Sequence, residues 1–542
     1  MSTAKDIKNS ETADLSKVES RNHGAIVEEN ELLREFKPRH VLMFSVACAI
    51  GTGLVIGSGT ALANGGPGSL LVSYILVGIA VFFVLASLSE MAAYLPMNKG
   101  FAGYATRMVD PAFGFSTGWN YFFKYLIATP TNLTAAGLVM QYWRPDLNVG
   151  IWIAVFGVAI ITINFLPVKN FGETEFWLGL VKVLIMTILI LVCFIIALGG
   201  GPNHHRSGFA YWKNPGAFRE YLAEGPKGRF LGWWACMCQA CFAYTGTEVV
   251  GITFGETPNP KKTIPRAVKH TFWRIASFYV IGVLVLGMAV PSNDARLLGA
   301  NKQSTSAAAS PFVVAINIAK MSVLPDIVNA SLLVFTLSAS SSDIYCASRA
   351  LYGLAKDGQA PRIFSKTATS GSPVFAVGVA ALFVGLGFMN ASKSAAIVFD
   401  YFVSLVTVFA VLNWVAILVS YLHFRRALRA QGVPLSSLPY VGILQPFGAY
   451  YALFISFLVI VFNGESIQSP GTNLHQGSFI DPRNKGYDAF VPHFTVSTFI
   501  LKYVGTVLFA LNAGLWKVFR GTRYHKPKEV DLVSGWRMFE DL

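Results

Sequence analysis

Two short runs of this sequence place residue types that free backbone polar groups inside otherwise apolar stretches. The first is Gly51-Thr52-Gly53-Leu54-Val55-Ile56-Gly57-Ser58-Gly59, and the second is Phe242-Ala243-Tyr244-Thr245-Gly246-Thr247-Glu248. Glycine lets a helix unwind and lets a ligand approach the backbone closely. Amides freed after Gly53 would open a helical segment, and a helix N-terminus attracts a carboxylate. Carbonyls freed around Phe242, Ala243, Tyr244 and Thr245 would accept hydrogen bonds from an ammonium. Gly51, Thr52 and Gly53 on one side, and Phe242 to Gly246 on the other, thus suit the two ends of a zwitterion. Phe242 and Tyr244 would add an apolar wall. The competing reading is that these glycines only permit close helix packing.

Of the ionisable residues inside apolar runs, which include Lys320 and Lys502, four stand out: Glu90, Lys124, Lys182 and Glu248. Charge at such positions is costly and usually functional, although an acid and a base can also form a silent buried pair. Asn132 lies eight residues after Lys124, a little over two helical turns, which brings the two to about one face. Pro130 between them bends that estimate. No histidine lies well inside an apolar run, so a histidine proton relay is not expected.

The elements that must hold these residues are membrane helices. Hydrophobic residues make up 53% of the 542, and charged residues only 13%, about half the charged share of a soluble globular chain. The charge is swept into short segments between long apolar runs. A spanning helix needs about 20 apolar residues, and twelve candidates occur, near 41–63, 68–94, 114–141, 150–168, 174–198, 231–254, 271–291, 311–340, 373–389, 395–421, 447–463 and 495–518. With the N-terminus in the cytosol, inside segments hold 28 Lys and Arg against 11 outside. That bias puts both termini in the cytosol.

The net charge of +14 sits in the connecting loops, not on an aromatic-laced soluble face, so nucleic acid is not the expected partner. Cys236, Cys238 and Cys241 on one apolar helix read as packing residues rather than a metal cluster. No disulfide framework, metal or cofactor is expected. Residues 1–39 are polar, lack a cleavable signal core, and read as a cytosolic arm, with the first apolar run acting as an uncleaved anchor.

The two interrupted runs fall in spans one and six. They match if spans 1–5 and 6–10 are two copies of one unit, and paired breaks of this kind point to a transport site. Gly51-x-Gly53 has no strand before it and no Walker A pattern accompanies it, which disfavours an ATP-driven pump. The fold class is therefore an all-α polytopic membrane protein. Its parts are a tail over 1–39, a transmembrane unit over 40–518 and a tail over 519–542. Within the unit, repeat one covers about 41–198, repeat two about 231–421, and two extra helices 447–518.

Several motifs carry a resemblance. They are Arg39-His40 before the glycine run, Ser89-Glu90-Met91, Gly103-Tyr104-Ala105, Gly118-Trp119-Asn120-Tyr121, Thr245-Gly246-Thr247-Glu248, Glu256, Asn259-Pro260-Lys261-Lys262, Ile264-Pro265-Arg266-Ala267 and the stretch from Ser348 to Gly358. In order and spacing these resemble a fungal amino-acid permease of the amino acid–polyamine–organocation superfamily. The resemblance implies a five-plus-five inverted repeat of the leucine-transporter type, alternating access, and proton symport of amino acids at the plasma membrane. It implies that Lys182 stands where sodium-driven relatives hold their ion, with Glu248 and Glu90 as further candidate proton-coupling groups. It also implies a ubiquitin ligase and adaptor acting on tail lysines such as Lys5, Lys8 and Lys17.

Span 3 departs from the general pattern of that family by carrying Lys124 and Asn132, as its dicarboxylic amino-acid permeases do. The departure makes this wall more positive and biases the expected substrate to glutamate or aspartate. The alternatives are a broad neutral amino-acid permease, with Lys124 silently paired to an acid, or a non-transporting sensor. The short tails argue against the sensor, and the absence of a nucleophile–base constellation argues against an enzyme.

Overall fold

Every element is helical in the computed structural model of the chain, with no strand among the described residues. Those residues are 50–97, 100–249, 272–294, 310–368, 371–391, 395–462 and 496–533, with Met43, Cys48, His270, Arg296 and Leu297. The tail over 1–39, most of the first half of span 1 and the motifs between 256 and 267 lie outside the described residues.

From Thr52 the chain is helical, running as a π-helical turn over Gly53–Gly57 and continuing as α1, Ser58–Tyr94. Spans 1 and 2 were expected to be separated by a connection. The break between them lies at Gly66 (φ +81°, ψ 171°), whose backbone is not helical, and at Pro67, which removes a helical donor, so α1 consists of two helices that meet at this turn. Arg219 satisfies carbonyls at this bend, donating to Ala63 and Ser292 at 2.7 Å each.

The chain continues through α2 (Gly100–Met108), α3 (Pro111–Met140), α4 (Val149–Phe165), α5 (Val168–Ala197) and α6 (Gly225–Ala243). A π-helical stretch, Ile275–Ile281, leads into α7 (Gly282–Ala289). Next come α8 (Pro311–Ile318), α9 (Leu324–Lys356), α10 (Val374–Phe383), α11 (Ala395–Ala430), α12 (Phe447–Phe462) and α13 (Val496–Arg520).

Among the described residues, five stretches are long and apolar enough to cross a membrane: Gly53–Tyr94, Asn170–Ala197, Phe272–Ala289, Leu324–Lys356 and Val398–Ala430. Their outward faces are apolar, as at Trp177, Leu184 and Leu191 of α5. The inward faces carry small and polar residues, which let helices approach closely and bond to one another. α9 packs along α3, α6 along α1, and α11 against both α3 and α1. Asn120 Nδ2 donates to Asn413 Oδ1 at 2.8 Å, tying α3 to α11, and Asn164 Nδ2 donates to the Ser341 carbonyl at 3.2 Å, tying α4 to α9.

One boundary differs in a way that matters for the site. Span 8 was expected over 311–340, but α8 stops at Ile318 and the long helix is α9, Leu324–Lys356. Each helix has proline in its first turn, Pro311 and Pro325, the position where a missing N–H costs nothing. Lys320, at φ +58°, sits in the break between them rather than within a span. The shift carries Asp343 from an expected loop to near the middle of a helix.

α3 starts on a capped turn. The Asp110 carboxylate accepts from the Ala112 amide at 2.7 Å, from Lys517 at 2.8 Å and from Thr522 at 2.8 Å. Burial alone would raise its pKa, but these three donors hold it below the usual aspartate value. A depressed folded-state pKa gives stability that is present at neutral pH and lost as pH falls through the carboxylate range. Asp110→Ala should therefore lower the melting temperature of the detergent-purified protein at pH 7. Loss of a cap costs about 0.5–2 kcal/mol, and the gap from wild type should narrow on acidification. A gap that is independent of pH would mean that the carboxylate charge contributes nothing here.

Candidate functional site

The two interrupted runs meet. α6 ends at Ala243, Gly246 takes φ +89°, and a single 3-10 turn follows at Thr247–Val249. Against this end lies the backbone of residues 51–57. A Cβ on Gly53 would sit 2.6 Å from Ala243 Cα and 3.0 Å from the Phe242 carbonyl oxygen. Gly53 is thus required by the approach of one broken segment to the other, and Gly246 by its left-handed backbone.

The junction opens on an internal cavity, with about 40 Å³ of space for the centres of water-sized molecules. Gly51, Thr52 and Gly53 line one side, and Phe242, Ala243, Thr245 and Gly246 line another. Lys124 and Asn132 of α3 complete the residues expected from the sequence. Cys48, Tyr125, Thr131, Ser342 and Asp343 also line it and were not expected.

Tyr244 does not wall the cavity. Its ring stacks on Tyr279 with centroids 4.3 Å apart, and its hydroxyl donates to the Tyr74 carbonyl at 3.0 Å. Ending the helix at Ala243 turns this side chain away from Phe242 and into the core. The carbonyls expected to be free for an ammonium already hold partners. Phe242 O accepts from the Thr245 hydroxyl at 2.8 Å, Ala243 O from the Tyr279 hydroxyl at 3.3 Å, and Tyr244 O from the Thr247 hydroxyl at 3.0 Å. Phe242 O also accepts from the Thr245 amide at 3.1 Å and Tyr244 O from the Thr247 amide at 3.4 Å, so of the three it is Ala243 O, with the Tyr279 hydroxyl as its donor, that keeps a second lone pair for a ligand.

Lys124 both lines the cavity and is ion-paired. Its ammonium meets Glu248 Oε1, lies 3.2 Å from the Tyr125 hydroxyl and sits 4.2 Å from the Tyr125 ring centroid. Trp414 Nε1 holds the other Glu248 oxygen at 3.3 Å. The expected positive surplus on this wall is therefore cancelled by Glu248, which stands behind Lys124 and not in the cavity. Such a buried pair is costly to break, by about 3–5 kcal/mol, because one charge is left uncompensated.

Asn132 bridges two neighbours. Its Nδ2 donates to Asp343 Oδ2 at 2.7 Å, and its Oδ1 accepts from the Thr52 hydroxyl at 2.7 Å. An aspartate oxygen facing an amide selects the amide nitrogen, which turns the carbonyl toward Thr52. Lys182 is fully buried on α5 and does not line the cavity. Its electrostatic neighbours are Glu175, Cys48 and Asp343. Glu175 lies seven residues earlier, two turns along the same face, and accepts from the Ser338 hydroxyl at 2.9 Å.

Glu90 stands apart from this site. Its oxygens meet the Tyr421 hydroxyl at 3.1 Å, the Gly442 amide at 3.0 Å and Arg425 at 3.1 Å. This fastens the end of α1 to α11 and to the segment before α12. Among the described residues Glu90 neither lines the cavity nor meets Lys182, so the structure does not bring it together with the other expected coupling residues. The sequence signal that was missed is α9: with its start at Pro325 recognised, Asp343 would have counted as an ionisable residue within a span.

Residues 40–481 match the family described as Amino acid permease. The chain is 50% identical to an uncharacterised amino-acid permease of Schizosaccharomyces pombe, over 94% of each chain. It is 46% identical to the dicarboxylic amino acid permease of Saccharomyces cerevisiae, over 95% of this chain and 81% of that one. It is 38% identical to the proline-specific permease of Emericella nidulans, over 94% of this chain and 90% of that one. The glycine-lined junction, its cavity and these matches together make the chain a member of the amino acid permease family, a multi-span membrane transporter and not an enzyme.

Proposed function

We propose that this permease imports amino acids by proton symport, with a bias to acidic side chains, by alternating access of a twelve-helix, five-plus-five repeat. We place it at the plasma membrane with both termini in the cytosol, and we assign the tail lysines Lys5, Lys8 and Lys17 to ubiquitin-dependent turnover. The observation that carries the reading is the cavity at the junction of residues 51–53 with 242–246. In it the substrate carboxylate takes the amides that open the segment after Gly51, as helix N-termini favour. The substrate ammonium takes the remaining lone pair of the Ala243 carbonyl at the end of α6, and Phe242 and Val406, which line the cavity, face the side chain.

The acidic bias is supported by the 46% identity to a dicarboxylic relative. Lys124 and Asn132, the pair whose pattern the dicarboxylic permeases share, both lie in the cavity wall. One observation favours a broad neutral substrate range instead, namely that Glu248 neutralises Lys124. Competition for uptake among glutamate, leucine and lysine, in cells lacking their own permeases, separates these readings. Inhibition of glutamate uptake by aspartate but not by leucine or lysine supports the acidic bias.

Coupling is assigned to the buried charges around Lys182. Glu175 lies on the same face of α5, and Asp343 lies between Lys182 and the cavity's polar wall. A proton that joins this group changes its charge balance at the moment a substrate is held.

Three outcomes follow from these assignments. Gly53→Val should abolish uptake in protein that still reaches the surface, because its branches would enter the Ala243 backbone; normal uptake would remove the junction from the mechanism. Lys182→Met should flatten the dependence of uptake on external pH, and an unaltered profile with intact uptake would clear this lysine of a coupling role. Lys124→Gln should lower glutamate uptake about ten-fold or more relative to leucine, the scale of a lost charged hydrogen bond. The measurement is the ratio of the two substrates at matched surface expression. If the ratio is unchanged while both uptakes fall, and Glu248→Gln in the same chain restores both, Lys124 serves only its ion pair.

A further inference from the structure

The buried Lys, Asp and Glu side chains around the cavity do not balance among themselves, and Arg274, also buried, has Tyr279, Cys48 and Tyr244 as its electrostatic neighbours rather than a carboxyl of this group. Lys124 and Lys182 supply two positive groups, while Glu248, Glu175 and Asp343 supply three carboxyls. Among the described residues these are the ionisable Lys, Asp and Glu side chains that α3, α5, α9 and the turn after α6 direct at one another. Glu248 is bound to Lys124 directly. Glu175 is the foremost electrostatic partner of Lys182 and also holds the Ser338 hydroxyl. Asp343 is the carboxyl left without a lysine of its own, and of the three it is the one that lines the cavity.

Among the described residues its neighbours come from three elements besides α9. α3 presents Lys124, Tyr125 and Asn132, and α5 presents Lys182 and Glu175. Cys48 lies on the span-1 side, and Cys346 follows one turn along α9 itself. Arg349, further along α9, is turned onto the Tyr345 ring at 3.9 Å. Both lysines act on Asp343 electrostatically, yet each has a nearer acid. The hydrogen bonds from Thr52 to Asn132 and from Asn132 to Asp343 connect this carboxyl to the backbone where the substrate carboxylate is proposed to dock.

We propose that Asp343 is the carboxyl that takes up and releases the coupling proton, and that its neutral form is what admits an acidic side chain to the cavity. The inference rests on the symport and acidic-substrate reading above. With Asp343 ionised, the five groups carry one surplus negative charge, and a glutamate, itself a net anion, would add another in a medium that screens poorly. With the proton on, the five groups sum to zero. A lone pair of the carboxylate binds the proton from water on the side to which the cavity is open, forming a neutral acid. That O–H bond breaks when the proton returns to water on the other side. The neutral acid keeps an oxygen for the Asn132 amide and gains an O–H that donates to the carboxylate of the substrate side chain. Groups this close titrate as a set, so Lys182 tunes the event and Asp343 ties it to the substrate.

The test uses the full chain in proteoliposomes, as wild type, Asp343→Asn and Asp343→Glu. Two modes are compared: glutamate accumulation driven by an acid-outside gradient, and glutamate–glutamate exchange without a gradient. Asparagine keeps the size of Asp343 and an acceptor for Asn132 but cannot carry the proton. Asp343→Asn should still exchange, at a reduced rate because the O–H donor to the substrate is lost, while its accumulation falls by about a further ten-fold or more, as expected when a charged partner is removed, and its dependence on pH should vanish. Asp343→Glu should keep both modes with a displaced pH midpoint. Accumulation by Asp343→Asn with the wild-type pH profile overturns the proposal. So does loss of exchange in both variants, which makes the carboxyl a structural group. So does a selective loss of lysine uptake with glutamate coupling intact, which makes it an ionised cation site. If wild type itself refuses glutamate or ignores the gradient, the symport reading falls, and this inference with it.

Discussion

Buried charge is the constraint on which this site depends. At an effective dielectric near 20, two unit charges 4 Å apart interact by about 4 kcal/mol, so none of these groups can be held without a partner close by. Glu248 is placed against Lys124 by the turn that ends α6 at Ala243. That turn exists because Gly246 adopts a backbone that side chains resist, and because Gly53 lets the facing segment approach Ala243. The breaks therefore do two things together: they free backbone groups at the cavity, and they deliver an acid to meet the lysine of α3. A transporter needs such coupling, because whatever moves one broken segment must also disturb the charges pinned to it.

Much of this was legible before any coordinates. The two glycine-bearing runs, Lys124, Asn132 and Lys182 stand out because membrane helices seldom carry such residues, and Gly51 to Gly53, Phe242, Ala243, Thr245, Gly246, Lys124 and Asn132 line the cavity. What the sequence could not supply was direction. Tyr244 and Phe242 are two residues apart, yet the end of α6 sends one into the Tyr74 and Tyr279 cluster and leaves the other at the cavity. Glu90 and Glu248 look alike as acids inside apolar runs. One proves to fasten the end of α1 through Arg425 and Tyr421, the other to neutralise Lys124. Partners that lie hundreds of residues away in sequence cannot be read from local spacing.

The misplaced start of span 8 had the largest consequence. Hydropathy alone favours 311–340, because Phe312, Val313, Val314, Leu332 and Leu333 are more apolar than the serine-rich stretch that follows. Helix starts are set by proline and backbone geometry as much as by apolarity, and the serines are small polar residues that let α9 lie close against α3. Reading them as a loop hid Asp343. The same kinship of small polar residues and close packing places polar pairs such as Asn120 with Asn413 between the inner helices, while Trp177, Leu184 and Leu191 face outward.

The central claim is that substrate and proton are held by one connected set of groups. Its most direct measurement is the flux of protons with substrate in vesicles bearing the purified chain. Glutamate added outside should cause alkalinisation of the outer medium in step with its uptake, and dissipating the pH gradient should stop accumulation while leaving exchange intact. Glutamate that accumulates without proton movement, or that is indifferent to collapse of the gradient, would contradict the account.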